Sequence, residues 1–373
     1  MYDLSVVIPT FNERDNVRRL FDLLRAALDG RSWEAIYVDD DSPDGTAEEV
    51  RSLALEFDNV RVIQRIGRRG LAGACIEGIL SSTSPFCAVI DADLQHDETR
   101  LAPMLDALRG DDELDIVIGS RNIDGGSNGR GLSRIRRWGS DRATALTRRM
   151  LNIAASDPIS GFFMVRRLSF NEVITSLQGE GFKILADMLA ASAGRWKTHE
   201  IPYTFRSRHA GESKMDSAVA LEFLSLLVVR KTRGLVSTRF VLFCTVGFTG
   251  IFVQLLAVKI ALAFLVDQFA LAQAFGVFVA INSNFLWNNL ITYRDRALRG
   301  RAIWRGLLSF YAVCALGAVM NVGVANLSFA ALPFWALASI AGAIAGALWN
   351  FVASSLVTWR TRGRTRVAYR FGD

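Results

Sequence analysis

Two carboxylates one residue apart, Asp91 and Asp93, follow the apolar run Ala88–Ile90, and Gln95 comes two residues later. Carboxylate and amide oxygens are hard ligands that suit Mg²⁺ or Mn²⁺, and such cations usually share their coordination with substrate phosphates. Alternate side chains of a strand point the same way, so all three are expected to converge on one cation. Alone, the acidic pair is equally compatible with acids that cap a helix or line a loop.

Two further segments place polar side chains directly after predicted strands. The segment 38–46, VDDDSPDGT, brings three consecutive carboxylates, and the segment 9–13, PTFNE, ends in an asparagine and a glutamate. The simpler interpretation of the first segment is a solvated turn with Asp44 as the N-cap of the next helix. Ligands of open α/β sheets bind at the carboxyl ends of the strands, and these segments are expected to meet there.

The elements that would position these residues alternate between strand and helix patterns over the first 160 residues. Short β-branched runs predict strands at 4–10, 33–40, 60–65, 86–93 and 114–121. Amphipathic patterns predict helices at 15–28, 44–57 and 71–80. Such alternation is typical of right-handed βαβ crossovers, and it predicts an α/β, Rossmann-like domain with a mostly parallel sheet.

The chain changes character after residue 235. From residue 236 onward it holds 12 Lys and Arg residues but three Asp residues and no Glu, and its uncharged runs are long. Four apolar stretches are each long enough to cross the hydrocarbon core of a bilayer. They cover residues 240–266, 269–293, 306–332 and 334–359. The one charge inside the first stretch, Lys259, is expected to snorkel to the interface.

Basic residues lie on one side of these stretches. They precede the first stretch, separate the second from the third and follow the fourth, whereas the other two connections carry only Asp267. By the positive-inside rule, the sequence predicts an integral, multi-pass protein of the plasma or inner membrane, with the N-terminal domain and both termini cytoplasmic. A basic excess beside apolar runs indicates a lipid bilayer as the partner, and not nucleic acid.

Between the two parts lies the segment 216–234, which mixes aliphatic residues with a basic end and is too short to span a bilayer. It is expected to lie on the membrane as an interfacial amphipathic helix. The predicted domains are therefore 1–213, an interfacial helix and linker at 214–235, and a membrane domain at 236–373. Within the membrane domain, SNFLWNNLITYRD and LWNFVASSLVTWRT are alike, which predicts two related helix pairs.

Eight segments of the first 230 residues occur in an order and spacing that resembles glycosyltransferase family 2, whose catalytic domain has the GT-A fold. They are PTFNE (9–13), VDDDSPDGT (38–46), RGLAGA (69–74), DADLQH (91–96), GSR (119–121), SGFFMVRR (160–167), GFKILADML (181–189) and IPYTFRSRHAGESKM (201–215). Within the family, the chain looks most like the polyprenol-phosphate (dolichol-phosphate) mannose synthases. The tail is similar to the GtrA-like membrane domain. The implied fold class is a GT-A α/β catalytic domain, an interfacial helix and four transmembrane α-helices.

The resemblance implies a role for individual residues. Positions that hold the nucleotide base and ribose match Pro9, Phe11, Glu13, Asp39 and Asp41. Positions of the metal and diphosphate site match Asp91, Asp93 and Gln95. Positions that receive the lipid phosphate match Arg121, Arg136 and Ser140. Positions that close over the diphosphate match Arg208, Ser213 and Lys214, and Asp157 matches an acid near the sugar.

The implied activity is inverting transfer of a single hexose to polyprenyl (dolichyl) phosphate at the cytosolic membrane face, with mannose from GDP-mannose favoured. It implies a divalent cation, Mg²⁺ or Mn²⁺. The acceptor is a phosphate monoester with a second pKa of about 6, so it is largely ionised and needs no strong base. This fits the lack of an obvious catalytic histidine: His96, His199 and His209 are expected to be structural or to support other ligands.

Several alternatives stay open. A UDP-glucose-dependent glucosyltransferase would use the same residues, a glycolipid flippase would use the N-terminal domain as its loader, and a catalytically silent scaffold would keep only the fold. A solvated basic helix face near anionic headgroups is the alternative interpretation of Arg136 and Arg137. Asp97 and Glu98 stand where prolines are common in the family, and Asp41 stands where Asn is frequent, which leaves the nucleotide less defined. A homo-oligomer also stays open.

Overall fold

The structure, a computed structural model, describes residues 2–68, 70–127, 134–177, 183–206, 225, 227–232, 235–331 and 334–360. The chain divides into two compact units, Met1–Gly234 and Leu235–Asp373. The first unit is an α/β fold, and the described residues of the second are mainly helical.

A seven-stranded sheet forms the centre of the first unit. Its strands are β1 (Leu4–Thr10), β2 (Trp33–Asp39), β3 (Val60–Gln64), β4 (Phe86–Val89), β5 (Leu114–Ser120), β6 (Phe163–Arg166) and β7 (Lys197–Pro202). Their spatial order is β3-β2-β1-β4-β6-β5-β7, and β6 runs antiparallel to both of its neighbours. The predicted mostly parallel sheet is confirmed, with one reversed strand that the βαβ alternation did not predict.

Helices on both faces of this sheet close two cores. They are α1 (Val17–Ala27), α2 (Thr46–Glu56), α3 (Leu71–Ser81), α4 (Leu101–Gly110), α5 (Arg134–Leu151), α6 (Arg167–Val173) and α7 (Ile184–Ala191). Successive residues of β1 enter different cores, because Val6 and Ile8 pack with α1, α2 and α4, whereas Val7 packs with α3, α6 and α7. A strand covered on both faces in this way is apolar throughout, which explains the continuous run LSVVI.

The fourth strand ends earlier than the sequence predicts. β4 stops at Val89, and the chain then turns through Leu94, whose φ of +62° is left-handed. The turn is favoured because Asp93 Oδ1 accepts a hydrogen bond from the backbone N–H of Gln95 at 3.2 Å. The expectation that strand alternation aligns Asp91, Asp93 and Gln95 is therefore wrong. A strained turn, of the kind that functional sites often hold, positions them instead.

The second unit contains the long helices α8 (Thr238–Phe264), α9 (Phe269–Trp287), α10 (Arg301–Ala331) and α11 (Trp335–Ala353). Within the described residues, three helical segments are long and apolar enough to cross a membrane: Thr238–Phe264, Arg301–Ala331 and Ile340–Thr358. Large apolar side chains such as Phe264 and Leu308 are exposed on these helices, as expected for a surface that faces lipid. The prediction of a membrane protein is confirmed.

These helices pack as two hairpins, α8 with α9 and α10 with α11. Each hairpin ends in one π-helical turn, Asn288–Thr292 in the first and Ser354–Thr358 in the second. The residues that follow, Tyr293 and Trp359, stack with ring centroids 4.2 Å apart and planes 5° from parallel. The similarity between SNFLWNNLITYRD and LWNFVASSLVTWRT therefore corresponds to two similar helix ends, which meet through their aromatic residues.

Hydrogen bonds also cross between the two π-helical turns. Trp359 Nε1–H donates to Asn289 Oδ1 at 3.0 Å, and Tyr293 Oη lies 2.9 Å from Ser355 Oγ. Trp359→Phe keeps an aromatic ring for stacking but removes the indole donor from a buried site. We expect it to cost about 1 kcal/mol and to lower the Tm in detergent by about 2–4 °C. The matched change Trp304→Phe, at an exposed position, is expected to leave the Tm unchanged; equal shifts would contradict the prediction.

Candidate active site

The loops at the carboxyl ends of the parallel strands lie at one edge of the sheet. The strands β1, β2, β4 and β5 are parallel, so Thr10, Asp39, Val89 and Ser120 all end there. Because β6 is antiparallel, the pairing of Val89 with Phe163 brings the start of β6 to the same edge. The segments that the sequence analysis singled out after β1, β2, β4 and β5 therefore lie around one edge, the one at which open α/β sheets generally bind ligands.

Asp39, expected in the nucleotide site, is fully buried. Its carboxylate accepts hydrogen bonds from the Ser42 backbone N–H at 2.9 Å, from the Ser42 hydroxyl at 2.5 Å and from the Thr10 hydroxyl at 3.2 Å. These bonds hold the turn after β2 against the end of β1. Asp39 thus shapes the wall of the site, whereas its contact with a ribose remains a prediction.

Asp41 has a left-handed φ of +57°, and Asn12 has one of +59°. Asn and Asp are the side chains that tolerate this region most readily, so the frequent Asn of the family and the Asp of this chain suit the same backbone. Asp41 Oδ2 accepts from the Gly67 N–H at 3.2 Å, and the Asn12 N–H donates to Ser42 Oγ at 3.0 Å. The departure at Asp41 therefore leaves the turn geometry intact.

The β1 segment presents its predicted nucleotide residues at different depths. Pro9 is buried within the strand, whereas Phe11 and Glu13 are partly exposed. Glu13 Oε2 accepts from Asn16 Nδ2 at 2.7 Å, and the Glu13 backbone N–H donates to Thr46 Oγ1 at 3.0 Å. Of these residues, Phe11 and Glu13 have the exposure that a contact with a nucleotide needs.

A buried ion pair that the sequence analysis missed lies directly after the end of β2. The Arg65 guanidinium lies 2.5 Å from Asp40 Oδ1 and donates to the Gly70 carbonyl at 3.0 Å, and the Gly70 N–H donates to Asp40 Oδ2 at 2.6 Å. Burial raises the pKa of Asp40, although Gly70 and Arg65 oppose the shift. The pair holds Gly70, the residue before α3, to the end of β2. Its only sequence signal is the middle acid of VDDD.

The turn after β4 places its three predicted ligands in different surroundings. The Asp91 side chain is 34% exposed, whereas Asp93 is buried. Gln95 Nε2 donates to the Arg206 carbonyl at 3.0 Å, and the Arg206 N–H donates to the Gln95 carbonyl at 2.8 Å. The amide of Gln95 is thereby oriented by the chain beyond β7, which leads toward the predicted diphosphate-closing residues.

The acids that replace the usual prolines bind the same chain segment. Arg206 forms an ion pair with Glu98 at 2.7 Å and with Asp97 at 3.2 Å. Asp97 also caps the short helix that precedes α4 by accepting from the Thr99 N–H. This departure from the family therefore adds two ion pairs between the β4 turn and Arg206. It leaves Asp91, Asp93 and Gln95 in place.

Two carboxylates and an amide at this turn suit a Mg²⁺ or Mn²⁺ ion that takes its other ligands from phosphates and water. Among the described residues there is no group of three His, Cys, Asp or Glu side chains that could hold a metal by itself. The donor set fits a cation that binds together with a diphosphate, because that mode needs few protein ligands. It does not fit a structural site enclosed by the protein.

Arg121 and Asp157, predicted for the lipid phosphate and the sugar, bind each other. Arg121 Nε lies 2.7 Å from Asp157 Oδ2, and an Nη lies 3.0 Å from Oδ1, in a bidentate pair with a fully buried carboxylate. Burial tends to lower the pKa of Arg121, but the hydrogen bonds with Asp157 outweigh it and raise the pKa. The guanidinium also lies 5.3 Å from the ring centre of Phe205. Arg121 is therefore a fixed, permanently charged group at the sheet edge.

Glu200 on β7 supports this pair from behind. Its carboxylate accepts from the Ser156 N–H at 3.0 Å, from the Ser156 hydroxyl at 2.7 Å and from the Asp157 N–H at 3.4 Å. The Ser156 hydroxyl also lies 2.7 Å from Ser120 Oγ, at the end of β5. The loop that carries Asp157 is thus held to two strands.

Lys183 is a cation of this region that the sequence analysis quoted within GFKILADML but did not select. Its Nζ lies 3.4 Å from the Ile159 carbonyl oxygen. Burial lowers the pKa of Lys183, the nearby charge of Arg121 adds to the shift, and the carboxylates of Asp91 and Asp157 oppose it. The charges of Arg121, Asp91 and Asp157 all act on Lys183, which its position in the sequence does not reveal.

Five predicted residues cannot be placed in this site by their side chains. Arg208, Ser213 and Lys214 lie outside the described residues. Arg136 and Ser140 belong to α5, where the structure describes the backbone but not these side chains. Their roles stay predictions.

The first unit has the mostly parallel sheet of a GT-A-like glycosyltransferase domain. The model of the family described as "Glycosyl transferase family 2" matches residues 5–174, and that described as "GtrA/DPMS, transmembrane domain" matches residues 242–359. The chain belongs to glycosyltransferase family 2, among its members that carry the GtrA-type membrane domain, and it is an enzyme.

Relatives of known name are similar along the chain. The dolichol-phosphate mannosyltransferase of Pyrococcus furiosus is 33% identical over 374 residues, which cover 96% of this chain and 99% of that protein. The dolichol-phosphate mannosyltransferase of Saccharomyces cerevisiae is 32% identical over 60% of this chain and 85% of that protein. A solved glucosyl-3-phosphoglycerate synthase from Mycobacterium tuberculosis is similar with a TM-score of 0.48 and 19% identity, over 62% of this chain and 80% of that chain.

Proposed function

We propose that the protein transfers one mannose residue from GDP-mannose to the phosphate of a polyprenyl (dolichyl) lipid, with inversion at the anomeric carbon. Similarity to a dolichol-phosphate mannosyltransferase along 96% of the chain carries the proposal. The charges at the sheet edge support it, because a diphosphate leaving group and a phosphate acceptor both need cationic partners.

The residues divide into two sets in this mechanism. Asp91, Asp93 and Gln95 would hold the cation, which when bound neutralises the charge that grows on the departing diphosphate. Arg121, oriented by Asp157, would bind the acceptor phosphate. An acceptor oxygen forms the new bond to the anomeric carbon as the bond to the diphosphate breaks, and the electron pair leaves with GDP. No proton has to be removed, because the phosphate is already largely ionised.

The direct test uses purified protein, polyprenyl phosphate and a set of labelled sugar nucleotides. Label from GDP-mannose is expected to enter the organic phase, and a chelator of divalent cations is expected to abolish this transfer. Label from UDP-glucose alone would support the glucosyltransferase instead. Movement of a preformed glycolipid across vesicles without any transfer would support the flippase.

We also propose four membrane spans with the first unit and both termini in the cytoplasm. The connection around Asp267 carries no basic residue, whereas Arg294, Arg296, Arg299, Arg301 and Arg305 lie between the second and third spans. In a bacterial host, alkaline phosphatase fused after Asp267 is expected to be active, because it needs the oxidising exterior to form its disulfides. The same enzyme fused after Gly300 is expected to be inactive. The reverse pattern would contradict the orientation.

A further inference from the structure

His96 joins the predicted cation site to the chain beyond β7. Its ring is buried, with Nε2 3.1 Å from Asp91 Oδ2 and Nδ1 3.0 Å from the Tyr203 hydroxyl oxygen. Asp91 follows β4 and Tyr203 follows β7, and β6 and β5 lie between those strands in the sheet. The three side chains thus form a continuous hydrogen-bonded chain across the edge of the sheet.

Aromatic side chains pack around the His96 ring. Its centroid lies 5.4 Å from that of Phe162 and 5.6 Å from those of Tyr203 and Phe205. On the other side, a Cβ at Gly161 would lie 2.8 Å from Asp91 Oδ2 and 3.4 Å from His96 Nε2. A side chain at Gly161 would therefore displace the Asp91 carboxylate from its place beside His96.

The chemistry of the three groups gives the chain a direction. An ionised carboxylate can only accept, and in the tautomer that donates from Nε2 to Asp91 the other ring nitrogen, Nδ1, is an acceptor. Nδ1 then accepts from the Tyr203 hydroxyl. A tyrosine hydroxyl with its ordinary pKa of about 10 is already protonated at neutral pH, and burial raises the pKa of Tyr203 further.

We propose that His96 and Tyr203 are positioning residues that hold the Asp91 carboxylate in the orientation that binds the divalent cation. The inference rests on the cation-dependent function proposed above. Groups that orient metal ligands in this way typically change metal affinity 10–100-fold when they are removed. We therefore expect about a 10-fold loss of Mn²⁺ affinity when either bond of the chain is lost.

Mn²⁺ binding to the full-length protein in detergent, measured by electron paramagnetic resonance in the presence of GDP, tests this role without turnover. Tyr203→Phe removes only the hydroxyl, and His96→Asn removes the donor that reaches Asp91; both are expected to bind Mn²⁺ about 10-fold more weakly. His96→Gln places an amide N–H near the position of Nε2 and is expected to retain most of the affinity. His199→Asn, at an exposed histidine of β7, is the matched control and is expected to bind as the unchanged protein does.

The outcomes separate the positioning role from the proposed function. If Asp93→Asn binds Mn²⁺ as tightly as the unchanged protein, the cation site itself is wrong. If Asp93→Asn loses Mn²⁺ but Tyr203→Phe and His96→Asn bind normally, only the positioning role is wrong. A purely structural role would lower the Tm of Tyr203→Phe without changing its Mn²⁺ affinity.

Discussion

Replacing Asp93 by asparagine is expected to lower the rate of mannose transfer roughly 10²–10³-fold and to leave the protein folded. Asparagine is nearly the same size as aspartate and keeps an oxygen that can accept the Gln95 backbone N–H, so the turn after β4 is retained. It removes one negative charge from the cation site, and the departing diphosphate loses the stabilisation that depends on the cation. Transfer of label from GDP-mannose to polyprenyl phosphate measures the effect.

The control for this variant is Asp112→Asn, which makes the same chemical change at an exposed position before β5. It is expected to leave both transfer and Tm unchanged. Retention of more than about a tenth of the transfer rate in Asp93→Asn, at saturating cation, would contradict the assigned role.

Asp157→Ala is expected to destabilise the first unit by about 3–5 kcal/mol and to abolish transfer. The change leaves the Arg121 guanidinium in a buried site without the bidentate partner that compensates its desolvation. The free energy of unfolding in detergent, together with the transfer assay, measures both effects. By comparison, Asp106→Ala breaks a more exposed pair with Arg31 and is expected to cost less than about 1 kcal/mol.

A double variant separates stability from function at this pair. Arg121→Met combined with Asp157→Leu removes both buried charges and is expected to recover most of the stability lost in Asp157→Ala. It is nevertheless expected to remain inactive, because no guanidinium is left to bind the acceptor phosphate. Restored transfer in the double variant would show that Arg121 only fills space.

Local patterns predicted the elements of the first unit well. β1 has its predicted bounds, Leu4–Thr10, because a strand covered on both faces gives an unbroken apolar run that ends at polar residues. The end of β4 was predicted four residues too late. The turn that follows β4 holds a local bond from the Gln95 N–H to Asp93, and it also brings Asp91 to His96, whose ring contacts Tyr203, 107 residues further along the chain.

The residues of the candidate site also depend on contacts that local sequence patterns do not reveal. The motifs identified Arg121 and Asp157 separately and gave them separate ligands, and their mutual bond, across 36 residues, depends on how β5 and the following loop pack. Asp40, Arg65 and Lys183 gave little signal, because a buried charge cannot be told from a solvated one until its neighbours are known. Residue type and spacing thus predict what chemistry is present, whereas non-local contacts decide which groups hold one another.

The most direct measurement is the position of Mn²⁺ in a complex of the full-length protein with GDP and Mn²⁺, located by its anomalous scattering in a crystal. The expected result is one strong peak coordinated by the Asp93 carboxylate and the diphosphate, with Asp91 and Gln95 beside it. A peak elsewhere, or a nucleotide bound far from this turn, would contradict the proposed mechanism.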